Sequence, residues 1–405
     1  MKRQVFKFIA NDDELLDFMV RFAAVLFLVV DILDFRTFIR DLRVFLPCPL
    51  WSPAFSVPQD LDWPFLDVHI AGLVALIWKP RYRPAAAIVV GLTALRILGD
   101  VASAQPFTLM YAFTILMAML SQLSSQSRLQ ALRLMIVGVY FWAGFNKLNN
   151  GFFYDVFPWF IRPFWTYPPG WRITNTAITI TSFLVPVFES LIGLFLVLKN
   201  TRALGTIMAA IMLCVVLACL GPLGHGVAAI IVAWNIYLFI SEAALFLAPH
   251  DACVKAMTTN IATSSAAALF ILAPALGLLG LWDAGPSFKL YAGNAPEAYI
   301  TLDPRENTQQ LPEEVTLAIQ FYQRQHPGEA SANSMNVLEW LGISHLGPYP
   351  SERVYRTGAP GLCHWLQHPE TATLYIFRPG QFDSLRTRKT VEPLCQTATQ
   401  PLAVS

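Results

Sequence analysis

Charge is what this sequence has least of. Only 14% of its 405 residues are Asp, Glu, Lys or Arg, and 28 basic against 27 acidic side chains leave a net charge of +1. Soluble domains carry about 25% charged residues. The shortfall excludes a disordered chain and an ordinary soluble one, and without a basic excess no surface is offered to nucleic acid. Glycine-rich phosphate loops, a G-x-S-x-G elbow and zinc-finger spacings are also absent. Nucleotide-driven, serine-hydrolase and metal chemistry therefore have no motif to rest on. There is no internal repeat, low-complexity tract or heptad run.

What is present is apolar: 55% of residues are hydrophobic and mean hydropathy is +0.49. A membrane-spanning helix needs roughly 20 mostly apolar residues, since only then are its backbone polar groups satisfied across the hydrocarbon core. Nine stretches approach that length, near 15–35, 63–79, 84–100, 105–122, 131–149, 176–198, 203–222, 226–248 and 262–282. Pro64, Pro80 and Pro84 break the second and third, so eight spans with a re-entrant piece is the alternative count. The expected fold is an all-α polytopic membrane bundle of about eight or nine transmembrane helices over residues 1–283. A small α+β soluble domain over 284–405 follows, with strands expected in SFKLYAGNAPEAYITLDP, ERVYRTGA and TLYIFRP and helices in PEEVTLAIQFYQRQH and SANSMNVLEWLGI.

Lys and Arg are enriched in cytoplasmic loops. A cytoplasmic N-terminus gathers Lys2, Arg3, Lys7, Lys79, Arg81, Arg83, Arg128, Arg133, Lys199, Arg202 and Lys255 inside and leaves Arg36, Arg40, Arg43, Arg162 and Arg172 outside. The C-terminal domain is then extracytoplasmic, and the first helix reads as a retained anchor because no A-x-A site follows it. Cys48, Cys363 and Cys395 fall on the outer side, where disulfides persist, in three open pairings; Cys253 falls inside.

A charge inside the bilayer costs about 2.5–3.5 kcal/mol, so each one is a functional candidate. The set comprises Arg21, Asp31, Asp34, Arg36, Asp67, His69, Arg96, Asp100, Lys147, Glu189, His225 and Glu242. Tyr140, Ala143, Gly144 and Lys147 share one helical face. Either Lys147 is a desolvated base or nucleophile, or it snorkels to the headgroups. Glu189, just after Pro186, is a proton carrier or a partner for a buried cation, or else a neutral acid bonded to a neighbouring helix. His225 relays protons and lines the site, or caps a turn. Cys363, His364 and His368 in CHWLQH read as a surface loop, and no metal is expected.

The string YFWAGFNKLN, residues 140–149, resembles the YF-x-AG-x-x-KL segment of vitamin K-dependent gamma-carboxylases and the wider horizontally transferred transmembrane (HTTM) family. The likeness extends over about residues 10–200 through RFAAVLFLVVDILDFR, the isolated Cys48 and the acid of VFESLIGLFLVL. It implies that Lys147 is an active-site base, with quinone or hydroquinone as cofactor and an apolar or peptide substrate. The family's histidine on the preceding helix has no counterpart in QPFTLMYAFTILMAML, where Phe107 is nearest, and the tail is too short for the large lumenal portion of animal carboxylases. The expectation is a divergent membrane enzyme with Lys147 and Glu189 catalytic and Tyr140, Gly144 and His225 lining the substrate. Its rival is a non-catalytic scaffold whose outer domain, 284–405, docks another protein.

Overall fold

The structure, a computed structural model, describes residues 11–50, 58–165, 175–222, 224–226, 229–247, 260–289, 291–326, 333–378 and 388–395. Lys2, Arg3, Lys7, Arg172, Cys253 and Lys255 lie outside the described residues.

Nine helices lead the chain: α1 Asp12–Leu33, α2 Asp62–Trp78, α3 Arg83–Gly99, α4 Pro106–Met119, α5 Ser125–Phe145, α6 Phe157–Trp165, α7 Asn175–Val197, α8 Arg202–Leu220 and α9 Ala229–Leu247. Helix α1 starts where the Asn11 side chain accepts from Glu14 N and Asp12, Asp13 and Glu14 face the positive helix end. Prolines open α3 and α4, where a missing N–H costs nothing. A further helix, Ile261–Leu279, begins with an Asn260–Thr263 capping box. Its middle is a π-helical turn, Ala268–Leu272, and the indole of Trp142 donates to the Ile271 carbonyl at 2.9 Å. Phe27, Tyr111, Tyr140 and Tyr237 form the buried centre of the bundle.

Among the described residues, five helices are long and apolar enough to cross a membrane: Gln59–Trp78, Thr176–Val197, Arg202–Leu220, Ala229–Leu247 and Ile261–Leu279. The expectation of eight or nine spans is thereby corrected. Helix α4 has 14 residues and α3 has 17, about 21 and 26 Å at 1.5 Å per residue, short of the roughly 30 Å hydrocarbon core. Helix α1 carries Asp17, Arg21 and Asp31, and α5 carries Arg128 and Arg133, which makes both too polar. An apolar run in the sequence looks the same whether protein or lipid will surround it, and α4 and α5 are mostly wrapped by protein. The chain is a polytopic integral membrane protein with a soluble C-terminal part.

That part contains an antiparallel sheet of order β2-β1-β3-β4, made of β1 Glu297–Leu302, β2 Asn333–Asn336, β3 Thr373–Arg378 and β4 Arg388–Pro393. Ala298, Ile300 and Leu302 of β1 point into a core with Trp340, Tyr355 and Val315. Two expectations shift. The segment Glu352–Gly358 is helical, burying Val354, Tyr355 and Gly358 on one helical face. Asn333–Asn336 is a strand, and Asn336 then caps the helix Val337–Ile343 through Leu338 N at 2.8 Å. Phe45, Cys48, Val101, Ala102 and Ala104, which precede most of the bundle in sequence, belong to this same core. Cys363 pairs with Cys395, and Cys48 is a buried free thiol.

Candidate functional site

Two helices cross at glycines. A Cβ on Gly144 of α5 would lie 2.4 Å from Ser190 N and 2.6 Å from Pro186 O, and one on Gly193 of α7 would lie 2.8 Å from Val137 O. Only Gly at these positions lets the backbones approach so closely. Lys147 follows Gly144 by less than one turn, and Glu189 precedes Ser190. The crossing therefore brings Lys147 Nζ to 2.6 Å from Glu189 Oε2, with side chains only 16% and 8% exposed. Just beyond, Asn146 donates to Ser287 O at 2.6 Å and Asn149 to Ala292 O at 2.6 Å, tying the end of α5 to the segment that leaves the bundle.

The ion pair opens on a chamber of about 370 Å³. Tyr140 and Ala143 line it beside Lys147 and Glu189, and Phe157, Phe188 and Trp234 supply much of its apolar wall. The Tyr140 hydroxyl donates to Glu242 Oε2 at 3.0 Å, while Glu242 Oε1 is buried with no hydrogen-bond partner among the described residues. Two carboxylates thus flank one face of α5. Gly144 shapes the crossing and does not line the chamber.

A second cavity, about 840 Å³, lies between the bundle and the soluble part and shares Val156, Ile231 and Tyr291 with the chamber. His225 is here, away from Lys147. Its Nε2 is 2.8 Å from Trp159 O, which can only accept, so Nε2 carries the proton. Its ring stacks on Trp159 at 4.1 Å, and Trp159 stacks on Tyr291 at 5.9 Å. Tyr291 has φ 56°, a left-handed conformation that costs a residue with a Cβ about 1–2 kcal/mol. Lys289 also lines this cavity, where burial pulls its ammonium below the usual lysine range. Burial likewise pushes the Glu339 carboxyl up to about 7.

Several of the remaining buried charges pair with one another. Asp31 meets His69 Nδ1 at 2.8 Å and Arg96 at 3.5 Å, and His69 Nε2 lies 3.1 Å from Thr93 Oγ1. Thr93 gives its own proton to Val89 O, so it accepts from His69 Nε2. Arg43–Asp100 at 2.8 Å and Arg40–Asp62 at 2.6 Å extend the set. These cations find carboxylates, which is what burial requires of a charge, whereas buried Arg128 and Arg133 donate to the Met117 and Leu245 carbonyls at 3.1 and 2.8 Å. Arg21 and Asp67 are exposed. In CHWLQH the Cys363 sulfur is in the disulfide, and His368 N bonds Glu306 at 2.5 Å. Among the described residues, no group of three or more His, Cys, Asp or Glu side chains is placed to hold a metal ion.

Lys147, Glu189 and Tyr140 come together; Gly144 supports them from behind, and His225 faces the neighbouring cavity. Glu242, flagged only as a buried charge, proves to hold Tyr140. Lys289 and Tyr291 were legible only as ordinary residues of a soluble tail, since neither burial across a domain junction nor a positive φ leaves a mark in composition. Compared with protein-family models, with curated proteins and with solved structures, the chain matches none of them.

Proposed function

We propose that the protein is a membrane enzyme in which Lys147 acts as a base on an apolar, quinol-like or lipid-like small molecule drawn from the bilayer. The observation that carries this reading is the Lys147–Glu189 pair opening onto an apolar chamber. The chamber, about 370 Å³, lies within the range of small-molecule sites, about 300–1,000 Å³. Outward-facing Ile211 and Val215 of α8 place part of its wall against lipid.

The chemistry balances within the pair. Lys147 passes a proton from Nζ to Glu189 Oε2 across 2.6 Å, which leaves a neutral amine and a neutral acid. The amine then takes a proton from a substrate hydroxyl and is again an ammonium, and the developing oxyanion lies beside that ammonium. Tyr140, held by Glu242, presents its ring to the substrate. The resemblance of residues 140–149 to the HTTM and gamma-carboxylase segment supports a hydroquinone here. Its hydroxyls suit the polar side of the chamber at Lys147, and its rings suit the apolar remainder. When bound, it would supply reducing electrons. The missing family histidine argues against glutamate carboxylation as the outcome. In this reading the N-terminus is cytoplasmic and the soluble part extracytoplasmic, as the distribution of Lys and Arg favours.

Lys147→Arg keeps the charge but cannot supply a neutral amine at usable pH. It should abolish the difference in lipid and quinone content between cells with and without the protein, at unchanged membrane abundance. A fully active Lys147→Arg variant would sink the proposal.

A further inference from the structure

Lys289 is a half-buried cation on the segment that leaves the bundle, beyond the last of the long apolar helices. Its Nζ donates to the Gly277 carbonyl at 2.7 Å, and among the described residues no carboxylate lies within 4.0 Å of it. A main-chain carbonyl satisfies one N–H and leaves the charge uncompensated, a costly state for a half-buried ammonium. Lys289 lines the 840 Å³ cavity and, on the side of Gly277, a further cavity of about 410 Å³. The 840 Å³ cavity and the apolar chamber share Val156, Ile231 and Tyr291. A larger space that carries Arg162, Lys289, Glu297 and Glu339 on a partly apolar wall therefore adjoins one that is almost wholly apolar.

We infer that the two cavities together bind a single amphiphile, its anionic head, carboxylate or phosphate, against Lys289 and its hydrocarbon portion past Tyr291 into the chamber beside Lys147. This deepens the proposed function, and it rests on reading the chamber as the site of an apolar ligand. The outer cavity suits a monoanion. Arg162, Lys289, Glu297 and Glu339 line it, and burial raises the Glu339 carboxyl to about 7, so below that pH two cations stand against one carboxylate. The strained Tyr291, stacked through Trp159 onto His225, stands where head and tail would join. Rotation of its ring would widen or narrow that opening.

The test uses the full-length protein in phosphatidylcholine nanodiscs and three radiolabelled probes of equal chain length: dodecanoate, dodecyl phosphate and dodecanol. Saturable binding of at least one anionic probe, ten-fold or more tighter than dodecanol, is expected. The tighter of the two anions identifies the head as carboxylate or phosphate. Lys289→Gln should erase the preference for the anion without changing dodecanol binding, and Lys289→Arg should retain it. Ile231→Phe, which narrows the junction, should weaken all three probes. Dodecanol binding as tightly as both anions, or an unchanged anion affinity in a folded Lys289→Gln variant, would overturn the inference. So would the absence of saturable anion binding to the wild-type protein. Probe binding involves no proton transfer, so failure of the base chemistry and failure of the amphiphile site are read separately.

Discussion

Replacing Lys147 alone should destabilise the protein more than replacing Lys147 and Glu189 together. The two charged atoms are 2.6 Å apart, and the side chains are 16% and 8% exposed. Lys147→Met strands the Glu189 carboxylate in an apolar wall, and Glu189→Leu strands the ammonium. Loss of one partner from a buried pair costs about 3–5 kcal/mol, whereas replacing both with apolar groups is often neutral. The partial exposure of Lys147 sets the expectation at the lower end, about 3 kcal/mol for each single change and within about 1 kcal/mol of wild type for the double. The resulting coupling, about 5 kcal/mol, would far exceed the few tenths seen for independent sites. The assay is reversible unfolding of all four proteins in mixed micelles. Single-variant costs that add to the double-variant cost within about 0.5 kcal/mol would refute the pairing. If the pair is also catalytic, the double variant should be stable and inactive, a combination that a purely structural pair would not produce.

Gly144→Ala should lower thermal stability by about 1–3 kcal/mol and push α7 away, because its Cβ would arrive 2.4 Å from Ser190 N; a melting curve in detergent that matches wild type would contradict the close crossing. Tyr140→Phe removes the donor to Glu242 and should cost about 1–3 kcal/mol in the same measurement. Glu339 binds its proton more tightly folded, at about 7, than unfolded, near 4.5, so its contribution is fully present below pH 4.5 and is lost as pH rises through 7. Glu339→Gln should therefore flatten the fall in stability between pH 5 and 8, by about 1–2 kcal/mol after discounting partial exposure; an unchanged pH profile would refute this. Breaking Cys363–Cys395, 32 residues apart, with paired serines should cost about 3–4 kcal/mol in the soluble part, read as a lowered denaturant midpoint.

The Lys147–Glu189 pair was half legible in the sequence. Both residues stand out because ionisable groups are rare in apolar helices, and Gly144 beside Lys147 announces a close approach. Their 42-residue separation, however, is bridged only by tertiary packing. Asp31 and His69 are likewise visible as costly charges, yet nothing local says that they satisfy each other. The strands TLYIFR and EAYITL follow from alternation, while ERVYRTG is too short for alternation and helical spacing to be told apart. The span count failed where helix ends cut an apolar run short, as in α3 and α4, or where charges interrupt it, as in α1 and α5.

The strip from Phe45 to Cys48 carries a consequence for how the protein is made. Leu46 N bonds Gly358 O at 3.0 Å, and a Cβ on Gly358 would strike the Phe45 ring. Loops emerging early from the ribosome thus complete a hydrophobic centre whose other half is translated last. Phe45 and Cys48 must wait, unshielded, while every apolar helix is inserted, and they must wait on the same side of the bilayer that later receives Gly358. A chain halted before that glycine would expose this strip permanently, giving cellular quality control a handle by which to recognise unfinished copies.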